Sequence, residues 1–157
     1  MTSQQHYDVP KEILPIIIGN SKAVHTITII SNPSCNPCAI AHKMLSKWLA
    51  VRDDIRLQIV FATTNSDTDV NVKISRHFIA LSKNCGENIL EEALDDWYNE
   101  NIKDHTKLIL KYPVDYQNDW SSLTTEQNKW CEKIEINSNP SILVNGYKLQ
   151  APYELED

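Results

Sequence analysis

Two cysteines, Cys35 and Cys38, stand two residues apart in the stretch SNPSCNPCAIAHKML at 31–45. The pair follows the apolar run HTITII and leads into residues with helical spacing. Cysteines at this spacing can form a redox-active disulfide, contribute half of a zinc site or close a small structural bridge. Two further cysteines, Cys85 and Cys131, keep all three interpretations open.

The predicted position of the pair, at the start of a helix, favours redox chemistry. The unsatisfied amides and the positive dipole end of a helix N-terminus stabilise an anion, here a thiolate at Cys35. Cys38 lies one turn further on, close enough to attack a mixed disulfide formed on Cys35. Pro37 fits between them because the first helical turn tolerates a residue without an amide donor. The sequence therefore predicts a dithiol–disulfide switch.

The zinc and staple interpretations have less support. Structural zinc normally takes four ligands, commonly including a second close pair, and neither Cys85 nor Cys131 has a cysteine or histidine at ligand spacing. His42 is the only nearby candidate ligand, and it is also a candidate base for Cys38. We expect His42 to cover the helix surface or to cap a hydrogen bond, facing away from Cys35. A disulfide across two residues closes a very short loop, so it removes little entropy from the unfolded chain and would stabilise the fold only weakly.

Cys85 and Cys131 have two interpretations of their own. They are either two buried thiols, since free cysteine is among the most buried residue types, or a second disulfide. A bridge would indicate an oxidising compartment.

The elements that position the pair follow from the apolar patterns. Strands are predicted at 15–20, 25–31 and 55–64. A helix from Cys35 carries one apolar stripe at Ile40, Met44 and Trp48, with Leu45 and Leu49 beside them. Further helices are predicted at 69–88, ending at Gly86, then at 88–100 and, from a serine N-cap, at 121–136. The stretch NPSILVNGYKLQ at 139–150 predicts a strand, an Asn-Gly turn and a second strand. This order indicates an α/β fold with a mixed sheet flanked by helices.

The bulk composition excludes several classes of protein. The 157 residues fit one domain, and their net charge of −6 argues against general binding to nucleic acid or anionic lipid. The apolar run ILPIII at 13–18 is too short to span a bilayer and is interrupted by Pro15. The ending APYELED has the pattern of a first helical turn, which suggests truncation.

A second motif, far along the chain, completes a family resemblance. Pro140 stands directly before a predicted strand, where an Xaa-Pro bond is a candidate cis turn. Together, GNSKAVHTITIISNPSCNPCAIAH and NPSILVNGYKLQAPYELED resemble the DsbA-like branch of the thioredoxin fold. They are particularly similar to bacterial thioredoxin domains associated with vitamin K epoxide reductase-like membrane proteins. The resemblance implies a thioredoxin-like domain over 13–157 with a helical insertion at about 66–118, after a flexible segment at 1–12.

The resemblance also implies roles for individual residues. Cys35 would be the exposed nucleophile and Cys38 its shielded partner, with Asn36 and Pro37 between them. The loop Asn139–Pro140 would face the pair and hold a substrate strand by edge pairing. No metal and no cofactor beyond the cysteine pair is required. The implied partners are protein or peptide thiols and disulfides, and a membrane redox protein of the vitamin K epoxide reductase type. The implied location is extracytoplasmic, periplasmic or tethered to a membrane.

Three departures from relatives matter: the residue at 139, the residue at 29 and a last helix of the fold that is cut short. Asn139 stands where relatives usually carry Thr or Val. Ile29 replaces a buried acid, so the carboxylate that would accept the proton of Cys38 is missing at that position. The dipeptide Asn36-Pro37 has proline second, as in thioredoxin, which favours a couple between about −270 and about −180 mV. Ile29 also supports an alternative function, a non-catalytic binding module that retains the fold.

Overall fold

The computed structural model describes residues 6–64, 66, 68–99, 104–114, 121–136 and 140–148, with only the backbone of 121 and 122. The described residues form a short 3-10 helix, Lys11–Ile13, five strands and five α-helices. The strands are β1 Ile16–Gly19, β2 His25–Ser31, β3 Ile55–Phe61, β4 Ser141–Val144 and β5 Tyr147–Lys148. The helices are α1 Asn36–Val51, α2 Val70–Asn84, α3 Glu87–Tyr98, α4 His105–Lys111 and α5 Ser121–Lys133.

The strands form one mixed sheet in the order β1-β3-β2-β4-β5. Strands β2 and β3 are parallel, from His25 opposite Ile55 to Ser31 opposite Phe61, and α1 is the crossover between them. The remaining pairs are antiparallel. The predicted α/β class and mixed sheet are therefore confirmed. So is the hairpin turn, where Asn145 and Gly146 take φ values of 52° and 89°.

The two faces of the sheet bury different sets of residues because side chains alternate along a strand. The odd positions of β2, such as Ile27 and Ile29, belong to the larger core that also contains residues of α1, α2, α3 and α4. The even position Ile30 belongs to a smaller core with Trp130 of α5. The sheet is thus a middle layer between two layers of helix.

Helix α1 buries a different stripe from the predicted one. Ile40 is 64% exposed. The buried residues are instead Cys38, Ala41, His42 and Leu45. The predicted stripe is right at Leu45, which is buried, and wrong at Ile40, because the helix is rotated so that Cys38 faces the sheet. The positions that share its face are those three, four and seven residues further on.

The junction between α2 and α3 also differs from the prediction. Helix α2 ends at Asn84, its C-cap Cys85 has extended geometry with φ −121°, and Gly86 is the N-cap of α3. With φ −69°, Gly86 provides no left-handed stop. The glycine therefore begins a helix and does not end one.

The predicted domain boundaries stay predictions, although the structure adds contacts around them. Helices α2, α3 and α4 fall inside the range 66–118 assigned to an insertion. Near the N-terminus, the Tyr7 amide donates to the Gly146 carbonyl at 2.8 Å. Within the described part of the chain, no helix has the length and apolar character needed to cross a membrane.

Candidate dithiol site

Cys35 lies at the junction of loop and helix that the sequence predicts. It is the N-cap of α1, with extended geometry (φ −91°, ψ 118°). Its Sγ accepts a hydrogen bond from the Cys38 amide at 3.2 Å. An amide of the first helical turn therefore points at the sulfur, where it can donate a hydrogen bond to a negative charge that forms there during a reaction. The Cys35 side chain is half-buried, so a partner can reach it.

Cys38 differs from Cys35 in its environment. Its side chain is completely buried. Burial raises the pKa of the Cys38 thiol to about 12, and its hydrogen bond with Cys35 adds to the rise, while the Asn32 amide opposes it. Cys38 is therefore a thiol at neutral pH, and it must lose a proton before it can attack a disulfide.

The loop before Cys35 is held at both sides. The Asn32 side chain accepts from the Ser34 amide at 2.9 Å and donates to the Ala62 carbonyl at 3.2 Å. Trp97 of α3 donates from Nε1 to the Pro33 carbonyl at 2.9 Å. The end of β3 and helix α3 together fix the path of the loop that presents the cysteine.

The predicted substrate-binding residues have different outcomes. Asn36 and Pro37 form the exposed first turn of α1, beside Cys35. Pro140 directly precedes β4, whose first residue, Ser141, is paired with Ile30 of β2. Pro140 therefore lies at the same end of the sheet as the loop that leads to Cys35. Asn139 lies outside the described residues.

Ile29 is fully buried in the larger core, so its position offers Cys38 no polar contact. A polar group occurs further along the same strand. Ser31 Oγ is 3.2 Å from His42 Nε2, and the His42 ring stacks on Tyr98 with centroids 4.0 Å apart and 10° between the planes. All three side chains are buried.

The expectation that His42 covers the helix surface is wrong, since only 7% of the residue is exposed. Its position four residues after Cys38 places it on the same helix face, and that face packs on the sheet. Burial lowers the pKa of His42 to about 3, so the imidazole is neutral at physiological pH.

Cys85 and Cys131 are separate thiols in the structure. Cys85 packs against the larger core and Cys131 belongs to the smaller one, so the sheet lies between them. Burial raises the pKa of Cys131 to about 12, which makes it unreactive as a nucleophile. Among the described residues, no group of three His, Cys, Asp or Glu side chains is placed to hold a metal ion.

Sequence reasoning missed Ser31, Trp97 and Tyr98 as parts of the site. Ser31 carried a weak signal, since it is a polar residue at the end of an otherwise apolar strand. Trp97 and Tyr98 come from α3, and no local pattern in their own stretch refers to the cysteine loop.

Comparison with known proteins places this geometry in context. A family described as Thioredoxin matches residues 11–157. No curated protein sequence shows significant similarity to the chain.

Several solved structures share the fold at low sequence identity. BdbD from Bacillus subtilis superposes with a TM-score of 0.71 at 10% identity, over 95% of this chain and 90% of BdbD. A periplasmic thioredoxin-like protein from Salmonella enterica serovar Typhimurium gives 0.68 at 11% identity, over 84% and 78% of the two chains. The disulfide bond oxidoreductase DsbG from Mycobacterium tuberculosis gives 0.63 at 11% identity, over 87% and 80%.

Proposed function

Because the chain belongs to the thioredoxin family, we propose that it is a thiol–disulfide oxidoreductase that acts through Cys35 and Cys38. The observation that carries the proposal is the contrast within the pair. Cys35 is accessible and its sulfur accepts the Cys38 amide at the helix start, whereas Cys38 is buried beneath it. An accessible thiolate beside a shielded thiol is the arrangement that two-step disulfide exchange requires.

The proposed reaction reduces a substrate disulfide in two steps. The Cys35 thiolate attacks one substrate sulfur, a Cys35–substrate disulfide forms, and the other substrate sulfur leaves as a thiolate. Cys38 then loses its proton and attacks the Cys35 sulfur. The intramolecular disulfide forms, and the second substrate sulfur leaves with its electron pair. The same steps in reverse oxidise a substrate dithiol.

The proposed substrates are proteins or peptides with an accessible disulfide or dithiol. The exposed first turn at Asn36 and Pro37 borders Cys35, and Pro140 lies at the adjoining end of the sheet. A substrate strand pairing beside Pro140 would bring its cysteine to Cys35, with main-chain hydrogen bonds giving affinity largely independent of sequence. The docking role of Asn139 stays a prediction.

The cysteines are tested by single substitutions in an insulin-reduction assay. We expect Cys35→Ser to abolish reduction and Cys38→Ser to accumulate a mixed disulfide that mass spectrometry detects, since the resolving thiol is absent. Cys85→Ser is the matched control, because Cys85 is also half-buried but packs at the end of α2. Insulin reduction by the Cys35→Ser protein at the wild-type rate would refute the proposal.

The redox potential tests the sequence-based expectation for the active-site dipeptide. We expect equilibration with glutathione to give a value between about −270 and about −180 mV, because proline follows asparagine between the cysteines as it follows glycine in thioredoxin. Asn36→Pro combined with Pro37→His should raise the potential. A wild-type value well above that range would identify an oxidant.

The alternative, a non-catalytic binding module with the same fold, predicts ordinary thiol reactivity at Cys35. Alkylation by iodoacetamide at about pH 7 separates the two functions. A Cys35 that reacts no faster than a small free thiol would favour the binding module, since a thiolate stabilised by the helix start reacts faster.

The proposed location is extracytoplasmic, supported by the fold shared with the periplasmic protein from Salmonella. A membrane redox partner of the vitamin K epoxide reductase type is part of this proposal. Labelling of intact cells with a membrane-impermeant maleimide tests the location. Cys35 should be labelled without lysis, and protection until lysis would contradict it.

A further inference from the structure

We propose that the buried cluster of Ser31, His42 and Tyr98 is the proton relay for Cys38, in place of the carboxylate that position 29 lacks. The inference rests on the proposed function, because it concerns the second step of disulfide exchange. Such a relay is required because the Cys38 thiol is completely buried and must still release its proton. The residue at position 29 is Ile29, which cannot accept that proton.

The position of His42 relative to Cys38 is the first support. The two residues are four apart on α1 and both belong to its buried face. Side chains at this spacing are neighbours on a helix surface. The Asn32 amide is close enough to the Cys38 sulfur to oppose the rise of its pKa, and Asn32 directly follows Ser31. Ser31 and His42 thus lie on the two elements next to Cys38, the end of strand β2 and helix α1.

The link between Ser31 and His42 is the second support. Ser31 Oγ lies 3.2 Å from His42 Nε2, and the contact is buried. Ser31 lies two residues after Ile29, so both side chains point to the same face of the sheet. The Ser31 hydroxyl therefore lies on the same face of β2 as position 29, at the next residue that points to that face. A serine hydroxyl both donates and accepts, so it can pass a proton to an imidazole nitrogen.

Tyr98 supplies a third polar group, with an unusual environment. Its ring lies flat on His42, and only 3% of the residue is exposed. Its Oη has no hydrogen-bond partner of good geometry among the residues that the structure describes, although the Ser31 hydroxyl lies near it. A buried hydroxyl without a hydrogen-bond partner is destabilising. A Cys38 thiolate formed during the reaction would give this hydroxyl an acceptor.

An exit for the proton lies on the far side of His42. A pocket of about 30 Å³ separates α1 from α3, and a single water molecule fits such a volume. The polar residues that line the pocket are His42, Lys43, Ser46, Glu91, Asp95, Tyr98 and Asn99. Among the described residues, this set contains every titratable group that faces the pocket. Burial raises the pKa of the Glu91 and Asp95 carboxyls. Two carboxylates with increased basicity therefore border the water that would take the proton from His42.

The relay completes the second step with balanced atoms and charges. The Cys38 proton passes through the Ser31 hydroxyl to His42 Nε2, and the Tyr98 hydroxyl donates to the sulfur that has lost it. That sulfur attacks Cys35 and forms the intramolecular disulfide, while the Cys35–substrate bond breaks and the substrate thiolate leaves. His42 Nδ1 gives its proton to the pocket water as Nε2 accepts one, so the ring never becomes the imidazolium that burial disfavours. The cysteine pair is oxidised and the substrate disulfide is reduced.

The test uses the reduced protein with Ellman's reagent, in a Cys85→Ser background and with protein in excess. Each molecule of reagent releases one coloured thiolate when Cys35 attacks and a second when Cys38 resolves the mixed disulfide, so stopped-flow absorbance separates the steps. We expect His42→Gln and Tyr98→Phe each to slow the second release about tenfold or more near neutral pH. The deficit should shrink towards about pH 10, where hydroxide takes the proton, and the first release should stay unchanged.

The matched control is His105→Gln, the same chemical change at the start of α4, which should leave both phases at wild-type rates. Second-phase rates in His42→Gln and Tyr98→Phe that follow wild type at every pH would overturn the relay and leave the proposed function intact. Absence of the first phase in the wild-type protein would instead refute the proposed function. Circular dichroism checks that both variants fold. If His42→Gln does not fold, Tyr98→Phe alone tests the relay, because it keeps the ring that stacks on His42.

Discussion

At the scale of single residues, His42 ties the stability of the protein to the chemistry of its site. A neutral imidazole is packed between the strand that leads to Cys35 and the ring of Tyr98. Burial lowers the pKa of this histidine from about 6.5 to about 3. The unfolded chain therefore binds a proton at pH values where the folded protein does not, and acid favours unfolding through this residue.

We predict that the free energy of unfolding falls as the pH drops from about 6.5 towards about 3, partly because of His42. Between about pH 7 and about pH 4 the contribution of His42 is about 3 kcal/mol, from 1.36 kcal/mol for each pH unit below the unfolded pKa. Urea denaturation of wild type and His42→Gln at both pH values measures it. Between the two pH values, the free energy of unfolding should fall less in His42→Gln than in wild type. The other groups that take up protons on unfolding, including His77, are present in both proteins, so the difference reports His42. Equal losses in the two proteins would contradict the prediction.

The residue scale also shows which parts of the site a sequence can reveal. The spacing of Cys35 and Cys38 identifies the candidate chemistry directly, and the absence of an acid at Ile29 is visible in the sequence. The burial of His42 is not, because Ile40, Met44 and Trp48 offer an apolar stripe that competes with the true one. Only the packing of α1 on the sheet decides between the two faces, and it leaves Ile40 64% exposed.

At the scale of elements, Gln127 joins three parts of the fold on the face of the sheet opposite α1. It is completely buried in α5. Its side-chain oxygen accepts from the Phe61 amide of β3 at 2.9 Å, and its nitrogen donates to the Ile13 carbonyl at 3.0 Å. The amide thus satisfies two backbone groups that would otherwise be buried without partners.

We predict that Gln127→Ala lowers the free energy of unfolding by about 2–4 kcal/mol, because two buried backbone groups each lose a hydrogen bond. Glu126→Ala is the matched control on the same helix. Its carboxylate lies on the surface, 3.6 Å from Lys129, and exposed ion pairs contribute about 0–1 kcal/mol. Chemical denaturation of both variants measures the difference. Similar losses for the two variants would mean that Gln127 does not fasten α5 to the sheet.

Most elements could be predicted from the sequence, and the exceptions have local causes. Strands β1 to β3, the Asn-Gly hairpin and helices α1, α2, α3 and α5 follow from apolar periodicity. Helix α4 was not predicted individually because His105–Lys111 spans only seven residues, too few for a clear period. Its signal is the N-cap, where the Asp104 carboxylate accepts from the Lys107 amide at 2.8 Å.

At the scale of the whole molecule, the helices that follow β3 complete the candidate dithiol site. Helix α3 contributes Trp97, which holds the Pro33 carbonyl, and Tyr98, which covers His42. These contacts join residues more than fifty positions apart in sequence. No local pattern encodes them, so the family resemblance predicts that helices are inserted but not what they do. The structure indicates that these helices support the cysteine loop.

We predict that Trp97→Phe loosens the cysteine loop while the domain stays folded. The substitution removes the donor to the Pro33 carbonyl but keeps an aromatic ring beside Phe78, which Trp97 contacts edge to face with centroids 6.4 Å apart. Loss of one hydrogen bond of about 1 kcal/mol should speed hydrogen exchange at the Cys35 amide about fivefold. That amide reports the loop because it donates to the Asn32 carbonyl at 3.2 Å.

The matched control is Trp48→Phe, a half-buried tryptophan on α1 that packs against the same core. Both substitutions remove similar apolar area, so both should lower the melting temperature, and Trp97→Phe should lower it slightly further because it also loses the hydrogen bond to Pro33. Only Trp97→Phe should change exchange at Cys35, because only Trp97 contacts the loop through its indole nitrogen. Equal exchange rates at Cys35 in the two variants would show that α3 stabilises the domain without controlling the cysteine loop. Faster exchange in Trp97→Phe alone would establish α3 as the support that holds the nucleophile at the helix start.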